Sequence, residues 1–221
     1  MNKANVDNIK KTIIKTWKNA WFHLKKSFWK YWLFYFIIFI IAYLITVLTN
    51  PNIKELILGL DENLKDDVSG EGYWRSTFFL FKNNWLVCLQ ILILAFIPIR
   101  YLYTLPLIST SAMIGVTLYL VQQVNLNVLY TFGLGFLPHA ILELTTFILA
   151  ACYGSSINKV IIGRLTNLFR KVKKITPSFR RHLKEAFIAF ILVITPCIFI
   201  AAFIEGFISK FLLNIIVNFS N

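Results

Sequence analysis

Apolar runs alternate with basic or polar connectors along the whole chain. Five of the runs reach, with short polar extensions, the length of about 20 residues that a helix needs to cross a bilayer. The spans are predicted near residues 31–48, 78–99, 107–121, 132–157 and 186–208. The second and third are short, with Pro98 and Arg100 between them, which predicts short or broken helices. Gly133, Gly135 and Pro138 lie at the start of the fourth, where they are expected to loosen or kink the entry to the helix, and Pro196 lies in the middle of the fifth. Ala150 and Gly154 form a small-xxx-small pair that permits close helix approach.

Residues 1–30 have a different period. Ile9, Ile13, Trp17, Trp21, Leu24 and Phe28 recur every three or four positions, while lysines, Lys15 and Lys18 among them, fill the remaining surface. This predicts a basic amphipathic helix in the plane of an anionic leaflet, anchored by Trp17 and Trp21 at headgroup level. Residues 158–185 are a second basic segment with an apolar helical face, and FLLNIIVNF after the last span predicts an interfacial tail. Residues 52–60 predict a short amphipathic turn or helix and DENLKDDVSGEG a loop, whose carboxylates lack the spacing of a calcium-binding hand.

Composition turns these runs into a class. With 57% hydrophobic and only 15% charged residues, a soluble domain would need an implausibly large core. The fold class is therefore all-α and polytopic, in the membrane, with about five transmembrane helices and basic amphipathic interfacial helices; the alternating ten-residue strands of a barrel are absent. The first 30 residues are too long and too evenly basic for a cleaved signal peptide. The net charge of +13 sits beside the spans, which fits an anionic membrane surface and argues against nucleic acid as partner. Cys88, Cys152 and Cys197 lie in apolar runs without paired spacing and read as buried small hydrophobes.

The first 30 residues hold eight lysines and residues 158–185 hold nine Lys or Arg, against four in residues 49–84. The positive-inside rule then predicts a cytoplasmic N-terminus, a cytoplasmic segment 158–185 and an outside C-terminus. This places His139, Glu143 and Glu205 in the same outer half of the bilayer.

Those three side chains carry the candidate chemistry. His139 and Glu143 are four residues apart and share a helix face. An ionised carboxylate at mid-depth costs about 2.5–3.5 kcal/mol on insertion scales, so each needs a partner, a proton or water. Asn83, Asn84, Gln90 and Ser111 are candidate supporting donors. Such a cluster serves as an interhelical polar lock, a proton or substrate path, or a metal site of His139, Glu143 and Glu205. No catalytic residue is assigned: HAILE lacks the HExxH spacing, and no nucleophile or phosphate-loop motif occurs. No cofactor is predicted.

FGLGFLPHAILELTTFILAACYGSSI, AAFIEGFIS and FKNNWLV together resemble the stage II sporulation protein M family over nearly the whole chain. The resemblance implies that His139, Glu143 and Glu205 are its polar signature, with Asn83 or Asn84 as a weaker match. Ala140 stands where the family usually has glycine, and IPIRYLYTLPLISTS replaces a glycine-rich section. The sporulation member is similar to a scaffold in the engulfment machinery that recruits peptidoglycan-degrading partners. The expectation is accordingly a non-enzymatic protein of the cell membrane that organises envelope proteins, with homo-oligomers among its partners. A small transporter or permease subunit is the alternative, and a membrane metalloenzyme a further one.

Overall fold

The computed structural model describes residues 3–52, 72–123 and 129–209. The acidic stretch, the 52–60 helix beyond residue 52, most of the QQVNLN turn and the FLLNIIVNF tail lie outside the described residues. The described chain is helical without strands, and five of its stretches are long and apolar enough to cross a membrane: Phe28–Thr49, Tyr73–Leu94, Leu102–Gln123, Thr131–Leu168 and Phe179–Phe207.

Helix α1 runs Lys3–Thr49 without interruption. Residues 1–50 contain neither Gly nor Pro, so nothing breaks the hydrogen-bond ladder between the basic segment and the first apolar run. At 1.5 Å per residue the helix is roughly 70 Å long, more than twice a hydrocarbon core of about 30 Å. The basic N-terminal turns and the first apolar run therefore belong to one helix. The helix stops at Asn50, whose φ of 41° is a left-handed cap, with its N–H on the Thr46 carbonyl at 3.0 Å; Pro51 follows and cannot extend the ladder.

Helix α2 covers Tyr73–Leu94 and begins after Gly72, which has φ 24°. It starts and ends about five residues before the predicted second span. Residues 95–101 then unwind through short turns to a 3₁₀ turn at Leu102–Thr104 and helix α3, Leu105–Gln123, with Pro106 in its first turn, where an N–H has no intrahelical partner.

Helix α4, Leu137–Leu168, follows a π-helical segment at Leu129–Phe136. Helix α5, Phe179–Ala189, passes through a π-helical segment at Phe190–Ile194 into α6, Thr195–Phe203, and a last π-helical segment at Ile204–Ser209. The first two π segments each lie just before a proline, Pro138 and Pro196. A proline offers no N–H to the carbonyl four residues back, and widening the preceding turn accommodates its ring.

The chain forms two compact units. The first comprises the described residues of Met1–Trp32, Leu86–Pro106 and Thr145–Cys197. Here Gly154 of α4 brings its backbone against α2: an added Cβ would meet the Ala95 methyl at 3.2 Å and the Ile91 carbonyl at 3.6 Å. The core is rich in small residues, with Ala150, Ala151, Ala186 and Ala189 buried, as expected where helices pack without a hydrophobic driving force between them.

The second unit comprises the described residues of Leu33–Trp85, Leu107–Leu144 and Ile198–Asn221. Leu107, Ser111, Gly115 and Tyr119 form a buried row along α3. Gly115 lets this row touch α1, since a Cβ there would stand 2.5 Å from the Phe39 carbonyl oxygen and 2.9 Å from the Tyr43 nitrogen. Tyr119 donates to the Asn50 side-chain oxygen at 2.8 Å and Tyr43 to Gln122 at 2.9 Å, tying the end of α1 to the end of α3.

Candidate functional site

The second unit brings the predicted polar residues together from three helices. Asn84 of α2 donates from Nδ2 to Oε1 of Glu143 on α4. His139, one turn before Glu143, faces Glu205 of the terminal π-helical segment, with 3.8 Å between Nε2 and Oε1. That separation is too long for a hydrogen bond and within reach of an ion pair. The His139 ring also hydrogen-bonds the Gly135 backbone carbonyl, one turn earlier, which fixes its orientation. Its ring packs edge-on against Phe136, with centroids 4.9 Å apart. His139 is 3% exposed, whereas the Glu205 side chain keeps 28% of its surface and Glu143 is partly buried. The two carboxyl groups are within electrostatic reach of each other.

Local structure accounts for this convergence. The turn from His139 to Glu143 is regular α-helix, so i and i+4 share a face. Glu205 is brought close by its neighbour Gly206, where a Cβ would collide with the Thr77 hydroxyl oxygen and stand 3.1 Å from the Thr77 Cα. Only a residue without a side chain admits this contact between α2 and the last segment. Thr77 is fully buried, and its hydroxyl finds no hydrogen-bond partner among the described residues. It lies two turns before Asn84 on the same helix face. Phe203 and Phe207 stack 4.6 Å apart beside the cluster, with Tyr73 and Trp74 against Phe207 at 5.4 and 4.9 Å. Trp74 and Tyr73 are exposed, the composition of a membrane–water interface.

The remaining predicted positions fall elsewhere. Asn83 and Gln90 are exposed. Ser111 lies in the buried row of α3 that Gly115 presses against α1, and its hydroxyl has no partner among the described residues. Trp17, Trp21, Lys15 and Lys18 are all exposed on α1. Among the described residues no group of three His, Cys, Asp or Glu side chains is arranged to hold a metal ion.

A family model described as Stage II sporulation protein M matches residues 32–210. The chain belongs to the stage II sporulation protein M family. The match starts inside α1, at the junction of its basic and apolar parts, and ends just past the last π-helical segment, so the polar cluster of this stage II sporulation protein M family member lies wholly within it. Comparison with curated proteins and with solved structures gives no match.

Two parts of the cluster escape sequence reasoning. Thr77 and Gly206 are ordinary in composition, and their partnership exists only once α2 and the last segment meet. The choice of Asn84 over Asn83 had a weak signal in the helix period, because Thr77, Asn84, Cys88 and Ile91 recur on one face.

Proposed function

We propose that this family member is a non-enzymatic scaffold of the cell membrane that organises or recruits envelope proteins. In this reading the cluster is an interhelical lock that holds the partner-binding conformation. The observation that carries it is the bond from Asn84 to Glu143 together with the His139–Glu205 pairing. Each of these two pairs joins side chains of different helices, which supports a lock between them. The proposed topology has the N-terminus and segment 158–185 in the cytoplasm, and the C-terminus outside.

The test uses purified full-length protein in proteoliposomes and in native-membrane capture. A scaffold with a structural cluster captures the same membrane proteins in the wild type and in Glu143→Gln, which keeps the acceptor oxygen, and carries no proton flux above protein-free vesicles. A flux present in the wild type and abolished by Glu143→Gln with the fold intact would overturn the scaffold in favour of a proton path.

A further inference from the structure

The first unit holds 18 of the 23 Lys and Arg of the chain and only two of its ten acids. Its described acid, Glu185, is engaged by Arg181 at 2.9 Å and faces His182 at 3.8 Å. Within this unit is a cavity of about 300 Å³ between the 95–104 turn and the C-terminal half of α4. Arg100, Lys159 and Arg170 line it as cations, with Ser155 supplying a hydroxyl and Tyr101 a ring, while the Thr166 hydroxyl donates to the Ile162 carbonyl at 2.6 Å; no carboxylate is among the described residues that line it. All three cations are exposed at its mouth, while Asn158 and Ser155 are buried at its base.

The turn that carries Arg100 is built. Asn158 donates from Nδ2 to the Ile97 carbonyl at 2.7 Å and the Ala95 carbonyl at 3.1 Å, with the Ile99 carbonyl at 3.4 Å. One buried side chain thus satisfies the carbonyls of an unwound segment and holds it against α4. Tyr101 has φ 67°, a left-handed conformation that is costly for an aromatic residue and persists only where the surroundings enforce it. Arg100 and the Tyr101 ring are thereby held over a cavity whose other wall presents Lys159.

We propose that this cavity binds a phosphate group, and that an anionic phospholipid headgroup at the membrane surface presents it. Two guanidinium groups, one ammonium and the Ser155 hydroxyl match the charge and the acceptor oxygens of a phosphate. Basic pockets between membrane helices are known lipid-headgroup sites. The cavity volume suits a small headgroup.

The experiment compares two folded triple variants of equal charge. Arg100→Gln with Lys159→Gln and Arg170→Gln empties the cavity of cations; Lys171→Gln with Lys173→Gln and Lys174→Gln removes three charges outside it. Phosphatidylglycerol retained on the protein is read by native mass spectrometry after release from mixed phosphatidylglycerol–phosphatidylcholine nanodiscs. In phosphatidylcholine discs, inorganic phosphate is titrated against the thermal midpoint. Retained phosphatidylglycerol falls on the order of fivefold or more per lost cavity cation and less than twofold in the control, which identifies the lipid as the source. A phosphate-induced thermal shift lost only in the cavity variant would identify free phosphate at the same site. Equal losses in both triples, or no cavity-dependent effect with either probe, would overturn the proposal. If the cavity triple does not fold, Arg100→Gln and Lys159→Gln singly carry the same comparison.

Discussion

Asn158 shows how one polar side chain determines the geometry of a membrane turn. Its amide faces three main-chain carbonyls of the 95–101 segment. Replacing it by Leu removes the side-chain donor from the carbonyl of buried Ala95 and from Ile97, which keeps the Ile99 N–H at 2.8 Å, at a cost of about 1–3 kcal/mol. A clear drop in the thermal midpoint in detergent is the expected outcome, read alongside Lys159→Gln, which leaves the amide in place. His23 gives a second prediction at this scale. Burial, more than the neighbouring charges, pulls its pKa below the usual 6.5; Glu185 opposes the shift, while His182 and Lys26 add to it. The ring packs on Tyr153 with centroids 5.1 Å apart. Because the folded state favours neutral imidazole, the unfolded chain binds the proton first as pH falls, so stability is full above about pH 6.5 and declines below it. Thermal midpoints between pH 5 and 8 are expected to fall less steeply in His23→Gln than in the wild type. Neither role was legible beforehand: Asn158 reads as one polar residue in an apolar run, and His23 as part of a charged segment. His139, Glu143 and Glu205 stood out because titratable groups in apolar spans are rare.

At the scale of elements, the glycines decide how closely helices approach. An alanine at Gly115 would meet two backbone atoms of α1, at 2.5 and 2.9 Å, and backbone cannot step aside. At Gly206 the nearest atom is the Thr77 hydroxyl, which Thr77→Ala removes, though the Thr77 Cα remains at 3.1 Å. At Gly163 only the Thr176 methyl lies near, at 3.3 Å. Overpacking costs about 1–3 kcal/mol, so the expected order of destabilisation is Gly115→Ala largest, Gly206→Ala intermediate with partial rescue by Thr77→Ala, and Gly163→Ala least. Thermal unfolding of the four variants checks that order. The irregular turn before Pro138 had a signal in the sequence, because glycine and proline act on the backbone locally. The continuity of α1 was not legible there, because an amphipathic pattern says which face is apolar and nothing about whether the helix axis turns. Only the absence of Gly and Pro before residue 51 pointed to a single helix.

For the whole molecule, apolar run length was enough to give the helical membrane class, and among the described residues the five helices long enough to span follow the five runs. What the runs could not give was the pairing across helices, which depends on rotation about each axis. In the proposed lock, the Asn84–Glu143 contact holds α2 to α4. A double-mutant cycle on thermal unfolding in nanodiscs tests this most directly, using Asn84→Leu, Glu143→Leu and both together. Interhelical hydrogen bonds in membranes average about 0.6 kcal/mol and reach about 1.7 kcal/mol. A lock predicts a coupling in the upper part of that range, with the double variant less destabilised than the sum of the singles. Strictly additive effects would mean that the two side chains do not hold the helices together, and would contradict it.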